Sequence, residues 1–295
     1  MYDADAEDGD LSSYLAPVNP GGRSKSRLIV AGSALGVLAI AAVAVFVGLR
    51  PGAANSTQAS HVDPAVTRLI AAVENIPQHA IDAAARDATT QFGAMPNPVS
   101  GAPLTTNGKP ELFYIGAQFC PYCAPQNWAL VVALSRFGTF TGLTTIRTGN
   151  YPPFPPLDTW AFHGSSYASK YLAFVPVEER SNVLVSASAN PGKPASYRVL
   201  QKLTPAQRAT VSKYDKGNGV PFIDFGNKIV LTGTGASPSV LEHMTWSQIA
   251  AALTRPAGAP ILTAADFIIA SICQLTGNRP ASACTADIRS LELKS

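Results

Sequence analysis

An uncharged apolar segment near the N-terminus most constrains how this chain is organised. It runs from Leu28 to Leu49, and as a helix its 22 residues would span roughly 33 Å, which is enough to cross a bilayer. A cleaved signal peptide has a shorter apolar region and a short leader, whereas 27 residues precede this segment. We therefore expect a retained, single-pass transmembrane anchor over residues 28–49.

The charges that flank the anchor predict its orientation in the cell membrane. Arg23, Lys25 and Arg27 precede it and only Arg50 follows it, so the positive-inside rule places the N-terminus in the cytoplasm and the main domain outside. Residues 1–27 carry five acidic residues and few apolar ones, which predicts a disordered cytoplasmic tail. The exported part then lies in a compartment that permits disulfides.

The composition excludes some classes of function. A hydrophobic content of 46% over 295 residues is enough to bury a sizeable core. The net charge is only +3, and no long basic run occurs outside the flank of the anchor, so no nucleic-acid surface is indicated. No cofactor is predicted.

Beyond the anchor, the composition divides the chain into three parts. Residues 50–108 are predicted to form a linker and short helices, the helices in an Ala-rich stretch over residues 64–86 that breaks at Pro77. Residues 109–257 alternate between strand and helix patterns. Residues 258–295 are predicted to form a helical C-terminal extension.

The order of elements between residues 109 and 257 predicts an α/β fold. A β-rich run at 112–119 is followed by an apolar helix at 127–137 and a second strand at 142–148, which is the order of a parallel crossover. The further predicted elements are a hairpin that pairs residues 158–164 with 170–178, a helix over residues 204–214, a hairpin over residues 219–233 that turns at Gly226 and Asn227, and a helix over residues 239–253.

Two of the four cysteines, Cys120 and Cys123, lie between the first strand and the first helix, in the sequence FCPYCAPQNW. As a structural staple, their four-residue loop would contribute only about 1.9 kcal/mol in the chain-entropy treatment of disulfides. The loop from Cys273 to Cys284 spans twelve residues and would contribute about 2.8 kcal/mol. We therefore predict that Cys273 and Cys284 form the structural disulfide.

A metal site at Cys120 and Cys123 would need two further ligands, and a structural zinc site usually supplies a second pair at similarly close spacing. The sequence has no such second pair. His163 and His243 are the candidate additional ligands, but a single His in a strand or helix is more often an ordinary hydrogen-bonded residue. The metal interpretation is therefore the less favoured one, and no metal is predicted.

Redox chemistry explains more of the local sequence. With Cys120 as the N-cap of the helix, Pro121 would occupy the first helical position, where its missing N–H costs nothing. The Cys120 sulfur would then face free backbone N–H groups and the positive end of the helix dipole, which lower its pKa. Because a thiol of low pKa is a good leaving group, a mixed disulfide through Cys120 breaks easily. Cys123, one turn into the helix and more buried, would be the resolving cysteine.

This arrangement resembles the thioredoxin superfamily, in which a strand ends at a C-x-x-C helix start and a parallel strand, a Pro-initiated hairpin and a closing helix follow. The resemblance implies that Pro221 is cis and lies beside the cysteines, and that the Val220 backbone binds an extended substrate segment. The long separation of Cys120 from Pro221 implies an insertion over residues 150–216, as in exported DsbA-like oxidoreductases.

Two longer stretches, FYIGAQFCPYCAPQNWALVVALSRFG and SICQLTGNRPASAC, are similar to a family of prokaryotic membrane-anchored, thioredoxin-like proteins described only as a domain of unknown function. The similarity covers roughly residues 109–288 and implies a thioredoxin-like fold, but it supplies no substrate. One position departs from the thioredoxin pattern. Thioredoxin and DsbA carry an acidic residue six positions before the first cysteine, where this chain has Tyr114. Glu111 is the nearest upstream acid, and strand alternation predicts that it points to the opposite face.

The sequence therefore predicts a membrane-anchored, extracytoplasmic thiol–disulfide oxidoreductase. Cys120 would attack, Cys123 would resolve, and Val220 with Pro221 would bind the substrate. The expected partners are exported protein thiols or disulfides and a membrane redox partner, and the chain could act as an oxidase, a reductase or an isomerase. The alternative is a non-catalytic, thioredoxin-like binding or assembly module at the membrane surface, which Tyr114 favours.

Overall fold

The computed structural model describes residues 63–88, 93–186, 196–217 and 219–292. The predicted cytoplasmic tail, the predicted transmembrane anchor and the first part of the predicted linker lie outside the described residues. The described chain is a mixed α/β fold, with one mixed sheet, three small two-stranded sheets and helices on both faces of the mixed sheet.

Helices and strands alternate along the described chain. The helices are α1 (Pro64–Glu74), α2 (Gln78–Arg86), α3 (Cys123–Leu134), α4 (Pro205–Tyr214), α5 (Trp246–Ala252), α6 (Ala259–Thr276) and α7 (Ala286–Arg289). The strands are β1 (Asn97–Pro98), β2 (Thr105–Thr106), β3 (Lys109–Gly116), β4 (Gly138–Thr141), β5 (Thr144–Arg147), β6 (Asp158–Ala161), β7 (Ser166–Ser169), β8 (Ala173–Glu178), β9 (Arg180–Ser186), β10 (Ser196–Val199), β11 (Phe222–Phe225) and β12 (Ile229–Thr232).

The mixed sheet places β3 at its centre. Its strands follow the order β1, β12, β11, β3 and β8, and the short β2 pairs with the first residues of β3. β8 runs parallel to β3, from Glu111 opposite Ala173 to Gly116 opposite Glu178. β11 and β12 form an antiparallel hairpin, and β11 pairs antiparallel with β3. The carboxyl end of β3 therefore lies between β11 on one side and β8 on the other.

The strand predicted at 142–148 is present, but the parallel crossover predicted from it is wrong, because the parallel partner of β3 is β8. That stretch supplies β5, which pairs antiparallel with β6, and β4 pairs with β7. The predicted hairpin of residues 158–164 with 170–178 is wrong for the same reason. A strand that borders β3 must be apolar along its length because both of its faces are covered. The sequence AFVPVE of β8 satisfies this condition better than TTIR of β5, which is partly exposed.

Alternation along β3 divides the apolar interior into two parts. Leu112 and Tyr114 point to the face covered by α3 and α6, where the larger cluster of buried side chains lies. Phe113 and Ile115 point to the other face and pack in a smaller cluster with Val211 of α4. Burial on both faces explains why β3 appears in the sequence as a nearly continuous apolar run.

The longest described helix, α6, packs against α3. The segment Pro256–Thr276, which contains α6, is long and apolar enough by composition to span a membrane, but 78% of its most apolar window is buried inside the fold. Such burial is that of a core helix, whose apolar residues contact protein on nearly all sides.

The hairpin between β11 and β12 turns at the predicted residues. Gly226 and Asn227 have φ values of 64° and 58°, a left-handed conformation that Gly adopts freely and Asn tolerates. The next predicted helix, over residues 239–253, is interrupted, because His243 also has a positive φ of 60°. Thr245 then starts α5 by a capping box with Gln248, a start signal that the apolar spacing of the sequence masks.

Candidate functional site

Two free cysteines lie where β3 ends and α3 begins. Cys120 is 5% exposed and Cys123 is 1% exposed, and the two thiols are not joined to each other. Together with Ala117 they form a small buried cluster, against which Phe119 and Val220 pack. The site therefore joins three parts of the fold: the end of β3, the start of α3 and the residue pair that precedes β11.

The helix begins later than the sequence predicts. α3 starts at Cys123, so Cys120 is not its N-cap and Pro121 is not its first helical residue. Pro125 supplies the physical reason, because it has no N–H to bond the Pro121 carbonyl. The Ala124 N–H bonds that carbonyl instead, at 3.2 Å, which makes a tighter turn in front of the helix.

The pKa of the Cys120 thiol lies below its usual value. The largest cause is a hydrogen bond from the Cys123 thiol, and the backbone N–H groups of Cys123 and Tyr122 act in the same direction, while burial opposes them. The tighter turn thus still directs N–H groups at the Cys120 sulfur. The protonated Cys120 thiol can donate to the Val220 carbonyl oxygen, which lies 3.7 Å from the sulfur.

The pKa of the Cys123 thiol is raised well above its usual value. Burial is the largest cause, and the interaction with Cys120 adds to it. The Ala117 N–H and the nearby Tyr114 hydroxyl lower the pKa of Cys123, but they do not outweigh burial. Two chemically identical side chains, three positions apart, are thus shifted in opposite directions.

The Tyr114 hydroxyl is buried near the two free cysteines. It donates a hydrogen bond to Asn127 Oδ1 at 2.6 Å, and Asn127 Nδ2 donates to the Trp160 carbonyl at 2.8 Å. Burial raises the pKa of Tyr114 well above its usual range, so the hydroxyl keeps its proton. Gly116 makes room for it, because a Cβ at this position would collide with the Tyr114 hydroxyl.

A buried carboxylate, Glu178, lies at the end of β8 and is only 1% exposed. Its Oε2 accepts hydrogen bonds from Gln118 Nε2 and from the His163 N–H, both at 2.9 Å. Its Oε1 is buried without a hydrogen-bond partner among the described residues. Burial raises the pKa of this carboxyl, and the Gln118 side chain and the backbone N–H groups of His163 and Phe162 oppose the rise. A chemically reactive group therefore lies on the strand that neighbours the cysteine site.

The two residues predicted to bind substrate lie at the start of the β11 hairpin. The Val220–Pro221 peptide bond is cis. The Val220 backbone reaches the Cys120 sulfur, and the Pro221 carbonyl accepts a hydrogen bond from the Gly233 N–H at 2.8 Å, which fixes the chain at the entrance to the hairpin.

Aromatic side chains border the cysteine site. The ring of Phe119 stacks on Tyr197, with centroids 4.3 Å apart. Tyr122, which is 39% exposed, meets Phe154 edge to face at 5.6 Å. Phe119 packs directly against the cysteines, and the other rings extend this apolar surface, which is of the kind that polypeptide segments contact in protein interfaces.

The second cysteine pair is closed and structurally separate from this site. A disulfide joins Cys273, near the end of α6, to Cys284, just before α7, with the Cα atoms 5.7 Å apart. The candidate metal ligands of the sequence do not come together: His163 is exposed, and His243 lies in the turn before α5. In the part of the chain that the structure describes, no three His, Cys, Asp or Glu side chains are grouped to hold a metal ion.

Three residues of the site are not evident from sequence reasoning: Gly116, Asn127 and Glu178. Gly116 carried a usable signal, since a glycine inside an apolar strand often marks a close approach of another group. Glu178 carried none, because its role depends on β8 being the parallel partner of β3. Asn127 was visible only as a polar residue in an apolar helix.

Comparison with known proteins identifies a family for most of the described fold. A family model described as a domain of unknown function (DUF929) matches residues 96–274, which is 179 of the 295 residues (274 − 96 + 1) and includes both free cysteines. No curated protein and no solved structure matches the chain.

Proposed function

The chain belongs to the family of domains of unknown function DUF929, and we propose that this member is a thiol–disulfide oxidoreductase. The observation that carries the proposal is geometric: Cys120 and Cys123 are free, buried thiols after the end of β3, with the Val220 carbonyl oxygen 3.7 Å from the Cys120 sulfur. The pKa shifts of the two thiols, lowered for Cys120 and raised for Cys123, support it. A thiol of low pKa supplies a nucleophile and a good leaving group, and a neighbouring protected thiol supplies the group that resolves the mixed disulfide.

The exchange follows from these two environments. The Cys120 thiolate attacks one sulfur of a substrate disulfide, forming a mixed disulfide and releasing the other substrate sulfur as a thiolate. Cys123 then attacks the Cys120 sulfur, and the second substrate thiolate leaves with the electron pair. The protein dithiol is oxidised to a disulfide and the substrate disulfide is reduced to two thiols; the reverse sequence oxidises a substrate. The Val220 carbonyl beside Cys120 suits a hydrogen bond from the backbone of an extended substrate.

We also propose that the fold is thioredoxin-like. The parallel pair β3 and β8 on either side of α3 in the chain, and the antiparallel hairpin of β11 and β12 that starts at Val220 and Pro221, support this assignment. Relative to a minimal domain of that kind, the additional parts would be β4 to β7 between α3 and β8, and β9, β10 and α4 between β8 and β11. The predicted insertion at 150–216 overlaps both parts.

The location proposed for this activity is the outer face of the cell membrane, with residues 28–49 as the anchor and the N-terminus in the cytoplasm. Its support is the apolar run and its flanking charges. Exported proteins would then be the substrates, and a membrane redox partner would restore the cysteine pair after each exchange.

The test uses the full-length protein in detergent, with reduction of a disulfide-bonded polypeptide or oxidation of a dithiol peptide as the readout. Cys120→Ser is expected to abolish exchange. Cys123→Ser is expected to accumulate a mixed disulfide between Cys120 and the substrate, because the resolving thiol is missing. Equal exchange rates in Cys120→Ser and the wild type would refute the proposal. A titration of the pair against glutathione distinguishes an oxidase from a reductase by its potential.

The second candidate is a binding module that keeps this fold without turnover. It is supported by Tyr114 at the position of the expected acid and by the low exposure of Cys120. Under this alternative, the wild type and Cys120→Ser would bind the same partner with equal affinity, and neither would exchange disulfides.

A further inference from the structure

The group that removes the proton from Cys123 is not supplied by the residue at position 114, because a buried tyrosine with a raised pKa is not a base at neutral pH. Two other acidic residues of the sheet lie on the face away from Tyr114. Glu111 accepts a hydrogen bond from the Thr106 hydroxyl, and Asp224 is the Cα partner of Phe113, so both belong to the opposite face of the sheet.

Glu178 lies on the same face as Tyr114. In the parallel pairing of β3 and β8, Glu178 is the Cα partner of Gly116, and paired residues direct their side chains to one face. The Tyr114 hydroxyl lies over Gly116, in the space that a side chain would fill. Because neighbouring strands are about 4.8 Å apart, the Glu178 side chain begins about 5 Å from the Tyr114 hydroxyl. The Tyr114 hydroxyl thus has both the Cys123 thiol and the Glu178 carboxyl as electrostatic neighbours, since the charge of each raises its pKa.

The hydrogen bonds of Glu178 leave one oxygen free to act. Oε2 is held by Gln118 and by the His163 N–H, whereas Oε1 has no partner in the described part of the chain. A buried carboxylate oxygen without a partner is destabilising and needs an explanation, and a chemical role is one such explanation.

We propose that Glu178 is the proton acceptor for Cys123 during resolution of the mixed disulfide, with the Tyr114 hydroxyl passing the proton between them. This inference rests on the proposed function. The Cys123 thiol gives its proton to the Tyr114 oxygen as the Tyr114 proton moves to Glu178 Oε1. The Cys123 thiolate attacks the Cys120 sulfur, the sulfur–sulfur bond to the substrate breaks, and the departing substrate thiolate takes a proton from solvent. In the reverse reaction, the protonated Glu178 returns its proton to Cys123.

The surroundings of Glu178 suit this role. Burial raises the pKa of the carboxyl, which makes its ionised form a stronger base, while the nearby His163 acts in the opposite direction. The titratable groups that face this region are Tyr114 of β3, His163 after β6, and Cys120 and Cys123 at the start of α3. In the structure the Tyr114 hydroxyl donates to Asn127, so the transfer requires Tyr114 to exchange this bond for one to Glu178 Oε1.

The experiment follows the reactions of Cys120 and Cys123 as two successive kinetic phases. Reduced full-length protein in detergent is mixed with a chromogenic aryl disulfide in a stopped-flow instrument. Attack by Cys120 releases the first coloured thiolate, and attack by Cys123 on the mixed disulfide releases the second. Glu178→Gln keeps an acceptor oxygen for Gln118 and the His163 N–H but removes the base. We expect an unchanged first phase and a second phase slowed about 100-fold at pH 7, with the difference shrinking as the pH rises.

Three further variants serve as controls for the Glu178→Gln result. Asp266→Asn changes another buried carboxyl, on α6, and is expected to leave both phases unchanged. Tyr114→Phe is expected to slow only the second phase, and Glu178→Asp is expected to restore part of the rate and the pH dependence. Glu178→Gln is first compared with the wild type by circular dichroism; if it does not fold, Glu178→Asp and Tyr114→Phe decide the question by the same two phases.

The outcomes distinguish this inference from the proposed function. A wild type that releases no coloured thiolate, or a Cys120→Ser variant that retains the first phase, would overturn the oxidoreductase assignment itself. A wild type with both phases and a Glu178→Gln variant with the same second phase and pH profile would overturn the role of Glu178 alone.

Discussion

Two regions of this molecule each contain a cysteine pair and a buried carboxyl group, but only one of the cysteine pairs forms a disulfide. At the end of β3, two free cysteines lie near the buried Glu178, and in the C-terminal helices a disulfide between Cys273 and Cys284 lies in the same region as the buried Asp266. Both carboxyl groups have an oxygen without a hydrogen-bond partner among the described residues.

The difference lies in what surrounds the sulfur atoms. The first pair faces backbone N–H groups, a tyrosine hydroxyl and the Val220 carbonyl, which shift the two thiol pKa values apart. The second pair links the end of α6 to the turn before α7, and its residues are fully buried among apolar side chains. The spacing of two cysteines does not by itself determine their role. The polar groups near each sulfur determine it, because they set the thiol pKa.

The sharpest way to break this comparison is to remove one cysteine from each region. Cys120→Ser is expected to lower the exchange rate by at least about 1000-fold, because the attacking sulfur is lost. Cys284→Ser is expected to keep the rate within about twofold below its own melting temperature, since the cysteine site retains its geometry. Both rates are measured in the insulin-reduction assay. A loss of exchange in Cys284→Ser, with native circular dichroism, would contradict the separation of the two regions.

The free energy of unfolding is expected to depend more on the Cys273–Cys284 pair than on the Cys120–Cys123 pair, which is the opposite of the exchange rate. Replacing Cys273 and Cys284 together by Ala removes a cross-link over a twelve-residue loop and is expected to lower the free energy of unfolding by about 3 kcal/mol. Reduction of a disulfide between Cys120 and Cys123 opens a loop of only four residues and is expected to cost less than about 2 kcal/mol. Urea unfolding of the oxidised and reduced proteins measures both. Equal losses would show that the first pair is also a structural staple.

The sequence predicts most of the local features on which this comparison depends. The C-x-x-C pair after an apolar strand, the turn at Gly226 and Asn227 and the capped helix that starts after Thr204 all depend on neighbouring residues, and the structure contains each of them. The pairing of Cys273 with Cys284 likewise joins residues that are close in the chain.

What the sequence does not predict depends on contacts between distant residues. Residues 142–148 have the composition of a strand, but which strand pairs with β3 is decided by burial on both faces, and β8 satisfies that condition. Glu178 reaches the site only through this pairing, so no local pattern identifies it. α3 begins at Cys123 because Pro125 removes one backbone donor. Pro125 is visible in the sequence, but the preference of Pro for the first helical position favoured Pro121 as the start.

One glycine in each region, Gly116 and Gly277, provides a further test of the comparison. Gly116→Ala places a Cβ against the Tyr114 hydroxyl and is expected to lower the free energy of unfolding by about 2 kcal/mol and to slow the second phase of thiolate release, because the hydroxyl is displaced from Cys123. Gly277 is the matched control, since it has a φ of 63° and open space around it. Gly277→Ala is expected to cost about 1 kcal/mol without affecting either phase. A Gly116→Ala variant with unchanged kinetics would argue against a role for Tyr114.

The smallest effect concerns Asp266, and its sign follows from burial. Burial is the main cause that raises the pKa of this carboxyl well above its usual value, and the charge of Asp82 adds to it. Because the folded pKa exceeds the unfolded value of about 3.9, folding takes up a proton between the two values. Stability from this group is therefore fully present below the unfolded pKa and is lost as the pH rises through the folded pKa.

Asp266→Asn removes this pH dependence. At pH 7 the variant is expected to be more stable than the wild type by about 1 kcal/mol, because folding of the wild type must either take up a proton or bury an unpartnered charge at Asp266. The advantage is expected to shrink as the pH falls toward 4, where the wild-type carboxyl is protonated. Urea unfolding of both proteins between pH 4 and pH 8 measures the difference. Parallel stability curves would show that Asp266 does not titrate differently in the folded and unfolded chains, and exchange kinetics should remain unchanged throughout, since this carboxyl faces Asp82 and not the free cysteines.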